Sequence, residues 1–217
     1  MKIYIVRHAE SKRNVRQKSD EDPELTEVGK EQARRLGSYF HKVKLNKIYC
    51  STLKRAKTTL EKIKPYVKKV PVSYTKKVIE HNMGIFGNNG GDDWKGYAKA
   101  AKKTKVHFTI FKPKYGESLI EAYKRAGNFY KELLKEHGNK DKILVVSHGI
   151  FSLYLVLNIL FLDISEGAYY KLSNAGVSTI EIDSKGKITD FHINDYNHLI
   201  REGMKKNDII SKKSNRL

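Results

Sequence analysis

One cysteine, four prolines and one tryptophan occur in 217 residues, and each scarcity removes a class of protein. A single cysteine, Cys50, rules out an internal disulfide and any multi-cysteine metal site. It follows Ile48-Tyr49 in an apolar stretch, so a buried, inert thiol is expected. Long apolar runs are also missing. The longest, Ile150 to Leu162, is interrupted by Ser152 and Asn158 and is too short to cross a bilayer. The N-terminus opens directly on a strand pattern, with no charged leader and apolar signal core. A soluble, cytoplasmic protein with no membrane partner is therefore expected.

Acidic residues are scarce beside basic ones, 24 against 43, for a formal net charge of +19. Such a charge suits polyanions: nucleic acid, acidic membranes or phosphorylated substrates. Composition offers a second reading, because 34 of the 43 basic residues are lysine and Ile and Asn are abundant as well. The lysines are scattered rather than gathered in one arm, which weighs against a nucleic-acid partner. At 39% hydrophobic and 10% aromatic residues the chain can bury a core, and its length fits one domain.

Short apolar runs alternate with helical patterns. Residues 2–6 and 143–146 are continuous apolar strands of the kind covered on both faces. Strands are also expected at 47–50 and 70–74. Thr26 can cap a helix carrying Ala33, Leu36, Tyr39 and Phe40, and a helix over 52–63 ends before Pro65. A loop with four glycines and three asparagines spans Asn82–Gly91, and a short helix follows over 93–102. Residues 117–137 form an amphipathic helix with Leu119, Ala122, Tyr123, Ala126, Phe129, Tyr130, Leu133 and Leu134 on its apolar face. An apolar helix begins near Ile150, and Val177–Ile182 with Ile188–Ile193 reads as an edge hairpin. The alternation implies a three-layer α/β/α sandwich with a mostly parallel sheet. One domain over 1–200 is expected, with a lid-like insertion at about 82–115. The segment from Arg201 onward, with six basic and two acidic residues, reads as a frayed tail.

Ligands of such sheets bind beyond the carboxyl ends of the strands. His8, Arg55, Glu80 and His148 all fall at or just after expected strand ends, so segments remote in sequence can converge on one pocket. An arginine, Arg7, directly beside the first histidine makes an anion the natural guest.

Arg7-His8-Ala9-Glu10-Ser11 with Asn14 resembles the signature of the histidine phosphatase superfamily, the phosphoglycerate-mutase-like fold. So do Leu25-Thr26 with Gly29, Gln32 and Ala33; Ser51-Thr52-Leu53-Lys54-Arg55-Ala56 with Thr59; Ile79-Glu80 with Gly84; Gly116-Glu117-Ser118; Val145-Val146-Ser147-His148-Gly149; and Asn194 with His198-Leu199. Ala9 replaces the commoner glycine and Thr52 the usual proline; neither removes a reacting group. The resemblance implies a phosphatase acting on phosphomonoesters through a phosphohistidine on His8, without metal or cofactor. Arg7, Arg55, protonated His148, Asn14, Ser11 and Gly149 would hold the phosphate, and Glu80 would serve as general acid and then base. A mutase is the alternative within the family. The stretch after Glu80 favours a phosphatase, since no arginine stands between Arg55 and Arg125. A non-catalytic polyanion-binding protein is the reading from another class.

Four positions carry two readings or a bland one. Glu117 could touch substrate, or act as a first-turn acid on the helix dipole, which is favoured. His81 could line the pocket or face solvent. Tyr169 and Tyr170 are expected to pack. The seven lysines of Lys95–Lys114 could form a cationic lid for substrates with more than one anionic group, or a solvated face. The physiological substrate and oligomeric state are not legible.

Overall fold

The computed structural model describes residues 1–17, 22–67, 69–87 and 92–200. Six strands form one sheet: β1 (Lys2–Arg7), β2 (Lys47–Ser51), β3 (Val72–Thr75), β4 (Lys142–Ser147), β5 (Val177–Ile182) and β6 (Ile188–Asp195). Their spatial order is β3-β2-β4-β1-β5-β6. The first four are parallel, and β5 and β6 add antiparallel to β1 as the expected hairpin. The five α-helices are α1 (Glu27–Phe40), α2 (Lys54–Ile63), α3 (Trp94–Lys103), α4 (Leu119–Glu136) and α5 (Gly149–Ile159).

Alternation along each strand divides the core between the two faces of the sheet. Ile3 and Ile5 of β1, with Ile143 and Val145 of β4, pack against α4 and α5. Tyr4 and Val6, with Leu144 and Val146, pack against α1 and α2. Both strands are thus covered on both sides, which is why their sequences read as continuous apolar runs. Cys50 belongs to the α1/α2 face, fully buried, and burial pushes its thiol up to about 12. Among the described residues no helix is long and apolar enough to cross a membrane.

Helix ends follow their capping chemistry. Thr26 caps α1 by accepting from the Gly29 N–H, as expected. Ser118 and Glu121 form a reciprocal capping box on α4. That box corrects the reading of Glu117: the helix begins at Leu119, so Glu117 lies before its cap and Glu121 is the first-turn acid. Glu117 instead forms an ion pair with Arg125 at 2.6 Å. The helix expected to begin at Thr52 starts at Lys54, because Leu53 is its extended cap residue. Leu134, expected on the apolar face of α4, is 44% exposed and its neighbour Leu133 takes the buried position. Tyr169 and Tyr170 do not pack; they are 80% and 48% exposed at the end of a 3-10 turn after α5. The basic tail lies outside the described residues.

Candidate active site

The carboxyl end of β1, the turn from β2 into α2 and the turn after β3 open into one cleft of about 730 Å³. Arg7, His8, Ser11, Asn14, Arg55 and Glu80 line it, together with Arg13, Arg16, His81 and Trp94. Residues separated by more than 70 positions meet because β1 to β4 run parallel, which brings all their carboxyl ends to one edge of the sheet.

His8 leaves β1 with its ring almost fully buried. Its Nδ1 lies 2.7 Å from the Ala9 carbonyl, which can only accept, so Nδ1 carries the proton. Nε2 is then the lone-pair nitrogen, and the Arg55 Nε donates to it at 3.2 Å. Burial first, then the charges of Arg55 and Arg7, hold the His8 pKa well below the ordinary imidazole value. The ring is a neutral imidazole in a cationic frame.

The loop after His8 is braced from behind by α1. Glu10 donates its backbone N–H to Gln32 Oε1 at 2.9 Å, and its carbonyl accepts from the Thr26 N–H at 3.0 Å. Thr26 Oγ1 donates to the Glu10 carboxylate at 2.7 Å. A side chain at Gly29 would collide with the Glu10 carbonyl. These contacts give physical reasons for the spacing of Thr26, Gly29 and Gln32: α1 is pressed against the backbone that presents His8.

Asn14 is fixed by three donors on its Oδ1: the Ser11 N–H, the Ser11 hydroxyl and the Asn174 Nδ2. Asn14 lines the cleft, and with its Oδ1 occupied its Nδ2 is the donor end of the amide. Ser11 therefore orients Asn14, and its hydroxyl proton is already committed. Asn174 also donates to the His8 carbonyl at 3.0 Å, which ties the start of β5 to the loop. Sequence reading missed it; a lone asparagine before a strand gives no signal.

Arg55 and Arg7 are both buried, and burial draws both below their usual pKa. Arg7 donates to the Leu172 carbonyl at 2.6 Å, while its Nε has no partner. Arg55 has Asp22 at 3.5 Å from one terminal nitrogen.

His148 is fully buried behind the cleft wall, its ring 5.1 Å from that of His8. Burial, reinforced by Arg55, His8 and Arg7, lowers its pKa well below the imidazole value. Nε2 lies 2.7 Å from the Ser51 hydroxyl, and Nδ1 is buried without a partner. Gly149 also lies behind the wall. A Cβ there would stand 3.4 Å from Arg7 Nε and 3.6 Å from Glu80 Oε2, ordinary contact distances, so the backbone at Gly149 runs directly beside both groups.

Glu80 is half-buried against the N-terminus of α5. Its Oε1 accepts from the backbone N–H groups of His81, Ile150 and Phe151 at 3.0–3.2 Å, whereas Oε2 has only Ile150 at 3.4 Å. The acid loop and the Gly116-Glu117-Ser118 turn are packed backbone to backbone. A Cβ at Gly116 would lie 2.5 Å from the Asn82 carbonyl and 2.7 Å from the Gly84 N, and Gly84 itself has φ +54. His81 lines the cleft; its Nε2 meets the Glu117 carbonyl at 2.9 Å and its ring stacks on Trp94.

The lysines of 95–114 are absent from the wall. The cations there beyond Arg7 and Arg55 are Arg13 and Arg16, both from the loop after His8. Arg13 is ion-paired with Asp92 at 2.5 Å. Among the described residues no group of three or more His, Cys, Asp or Glu side chains is disposed to hold a metal ion.

The chain is similar to several known proteins. Phosphoserine phosphatase 1 of Hydrogenobacter thermophilus is 29% identical over 198 residues, covering 87% of this chain and 90% of that protein. An uncharacterised phosphatase of Bacillus subtilis is 30% identical over 201 residues, covering 89% and 95%. The α-ribazole phosphatase of Shigella flexneri shares the fold with a TM-score of 0.74 at 23% identity, over 90% of this chain and 96% of that one. The sequence profile described as histidine phosphatase superfamily (branch 1) matches residues 3–195, from the first strand to the last. With two histidines and two arginines at neighbouring strand ends and that profile spanning the described sheet, the chain belongs to the histidine phosphatase superfamily, branch 1.

Proposed function

We propose that the protein is a metal-independent phosphatase that hydrolyses small phosphomonoesters through a phosphohistidine on His8. One observation carries the reading: a neutral His8 whose Nε2 lone pair is presented at the cleft by a fixed Nδ1–H bond, with Arg55 at 3.2 Å. Nε2 attacks phosphorus, the N–P bond forms and the ester P–O bond breaks. The departing alkoxide takes a proton from Glu80. In the second step water gives a proton to Glu80 and attacks phosphorus, releasing phosphate and restoring His8.

The loose, anionic transition state asks chiefly for positioned positive charge. Arg7 and Arg55 provide planar forks for the equatorial oxygens, Arg7 with its Nε still unpartnered. Asn14 adds a neutral donor. His148 backs these groups from behind the cleft wall. Ser51 accepts from the Leu53 N–H and can donate to Nε2, which leaves the unpartnered Nδ1 to carry the proton. On Glu80, Oε1 is occupied by three backbone donors, so the freer Oε2 is the oxygen to carry the transferable proton.

Phosphate release from a panel of small phosphomonoesters, with chelator present, tests the reading against His8→Ala. Chelator-insensitive release that vanishes in His8→Ala supports it. Release unchanged in His8→Ala sinks it. No release by wild type, with interconversion of phosphoglycerates instead, would establish the mutase.

A further inference from the structure

The stretch Trp94–Gly116 contains seven lysines and no acidic residue. None of those lysines lines the catalytic cleft. Lys102, Lys103, Lys105, Lys112 and Lys114 are all exposed. Among the described residues only Lys112 of these has a carboxylate within ion-pair reach, Glu121 at 2.8 Å. Apolar side chains stand exposed between them: Val106 at 39%, Phe108 at 37%, Ile110 at 60% and Tyr115 at 78%. Ile85, 48% exposed, is tied to the same segment by its N–H bond to the Lys114 carbonyl.

Apart from Phe108, the segment does not use these residues in its aromatic core. Its interior is an aromatic cluster around fully buried Tyr97, which meets Phe86, Trp94 and Phe111 and the inner edge of Phe108. Tyr97 also donates to the Phe111 carbonyl at 2.6 Å. Val106, Ile110 and Tyr115 take no part in it. Exposed apolar groups rimmed by charge mark an interaction surface.

We propose that this face docks on an anionic lipid bilayer. A second copy of the chain is a poor occupant, since it would bring lysines against lysines. A nucleic acid would match the charge but has no use for protruding Val106 and Ile110. Acidic headgroups match the lysines, and the acyl boundary accepts the aliphatic tips and Tyr115, whose ring keeps its hydroxyl at the wet level. The earlier expectation of no membrane partner rested on the absence of a spanning run; surface attachment needs none. Tyr115 and Ile85 also line the catalytic cleft. Docking would therefore set the mouth of the cleft at the bilayer, within reach of phosphomonoesters borne on lipids.

The test is flotation of the full chain with vesicles of phosphatidylcholine alone, or with one third phosphatidylglycerol. Binding is independent of turnover, so its outcome is separate from that of the proposed phosphatase activity. Binding to the acidic vesicles at least about tenfold tighter than to neutral ones is expected, weakening with salt. Lys102→Gln/Lys103→Gln/Lys105→Gln should lower it about tenfold or more. Val106→Asn/Ile110→Asn keeps the charge and should also lower it about tenfold. Equal binding to both vesicle types, or none, overturns the proposal. So does binding lost with the lysines but untouched by the asparagine pair, since that describes a general polyanion surface such as one for RNA.

Discussion

The strand-end pocket and the 94–116 segment face each other across one cleft, yet they are held by different physics. His8, Arg55 and His148 are buried at strand ends, and the loop behind His8 is fixed by Thr26, Gln32, Thr59 and Asn174 through separate hydrogen bonds. The segment opposite rests on one aromatic cluster and the backbone contacts of Gly84 and Gly116. Pocket positions have many reasons to stay where they are, and a change there should be felt in both chemistry and stability. The outer face of the segment has few, so a change there should alter what the protein meets while leaving the fold intact.

The largest contrast is expected at the nucleophile. His8→Ala should lower turnover at least about a thousandfold, whereas Tyr115→Ala on the opposite rim should change it less than about tenfold. Comparable losses in steady-state assays would erase the distinction between chemical pocket and peripheral rim. Next comes Glu80→Gln, expected to slow alkyl esters by roughly 10²–10⁴ while slowing activated aryl esters far less. Equal slowing of both leaving-group classes would remove Glu80 from the role of acid.

A third test moves from chemistry to the support behind it. Gly29→Ala forces a methyl group into the Glu10 carbonyl, a backbone atom with no flexible end to yield. A loss of about 1–3 kcal/mol is expected, with a fall in turnover, although Gly29 touches no substrate. Lys103→Ala, on the exposed end of α3, should stay within about 0.5 kcal/mol. Chemical denaturation of the two variants measures the difference, and equal midpoints would contradict the bracing attributed to α1.

The smallest expected effect is on the pH dependence of stability. His8, His81, His148 and His198 all have pKa values depressed in the fold, chiefly by burial. A depressed pKa means the unfolded chain binds protons more readily. The fold therefore keeps its full stability above the unfolded value near 6.5 and loses it as pH falls below that. The melting temperature should drop between pH 7.5 and pH 5. The drop should be shallower in His148→Gln, in which one buried imidazole is gone.

Much of the pocket was legible because parallel strands leave a plain record. A strand buried on both faces reads as an unbroken apolar run, and the residue that follows it is at the site edge. His8 and His148 follow such runs directly, and Arg55 and Glu80 follow β2 and β3 after a short turn. The depressed pKa of His148 was not legible, because it depends on burial first and then on two arginines and a second imidazole brought close only by the fold. Nor was Asn174, whose partners lie 160 and more residues away. Glu117 was misread since sequence alone places a helix start within a residue or two, and the capping box at Ser118 and Glu121 shifts it past that glutamate. The seven lysines of 95–114 read as a cationic lid or as a solvated face, and in the structure all seven are exposed and none lines the cleft. In the structure Arg13 and Arg16 supply that charge instead.

The most direct test of the central claim is to quench the reaction with a labelled phosphomonoester within the first turnover and locate the phosphoryl group by peptide mass spectrometry. The account predicts an acid-labile, base-stable phosphohistidine at His8, formed at a rate equal to or above steady-state turnover and absent from His8→Ala. Turnover at the normal rate with no phosphorylated protein, or with label on a residue other than His8, would contradict it.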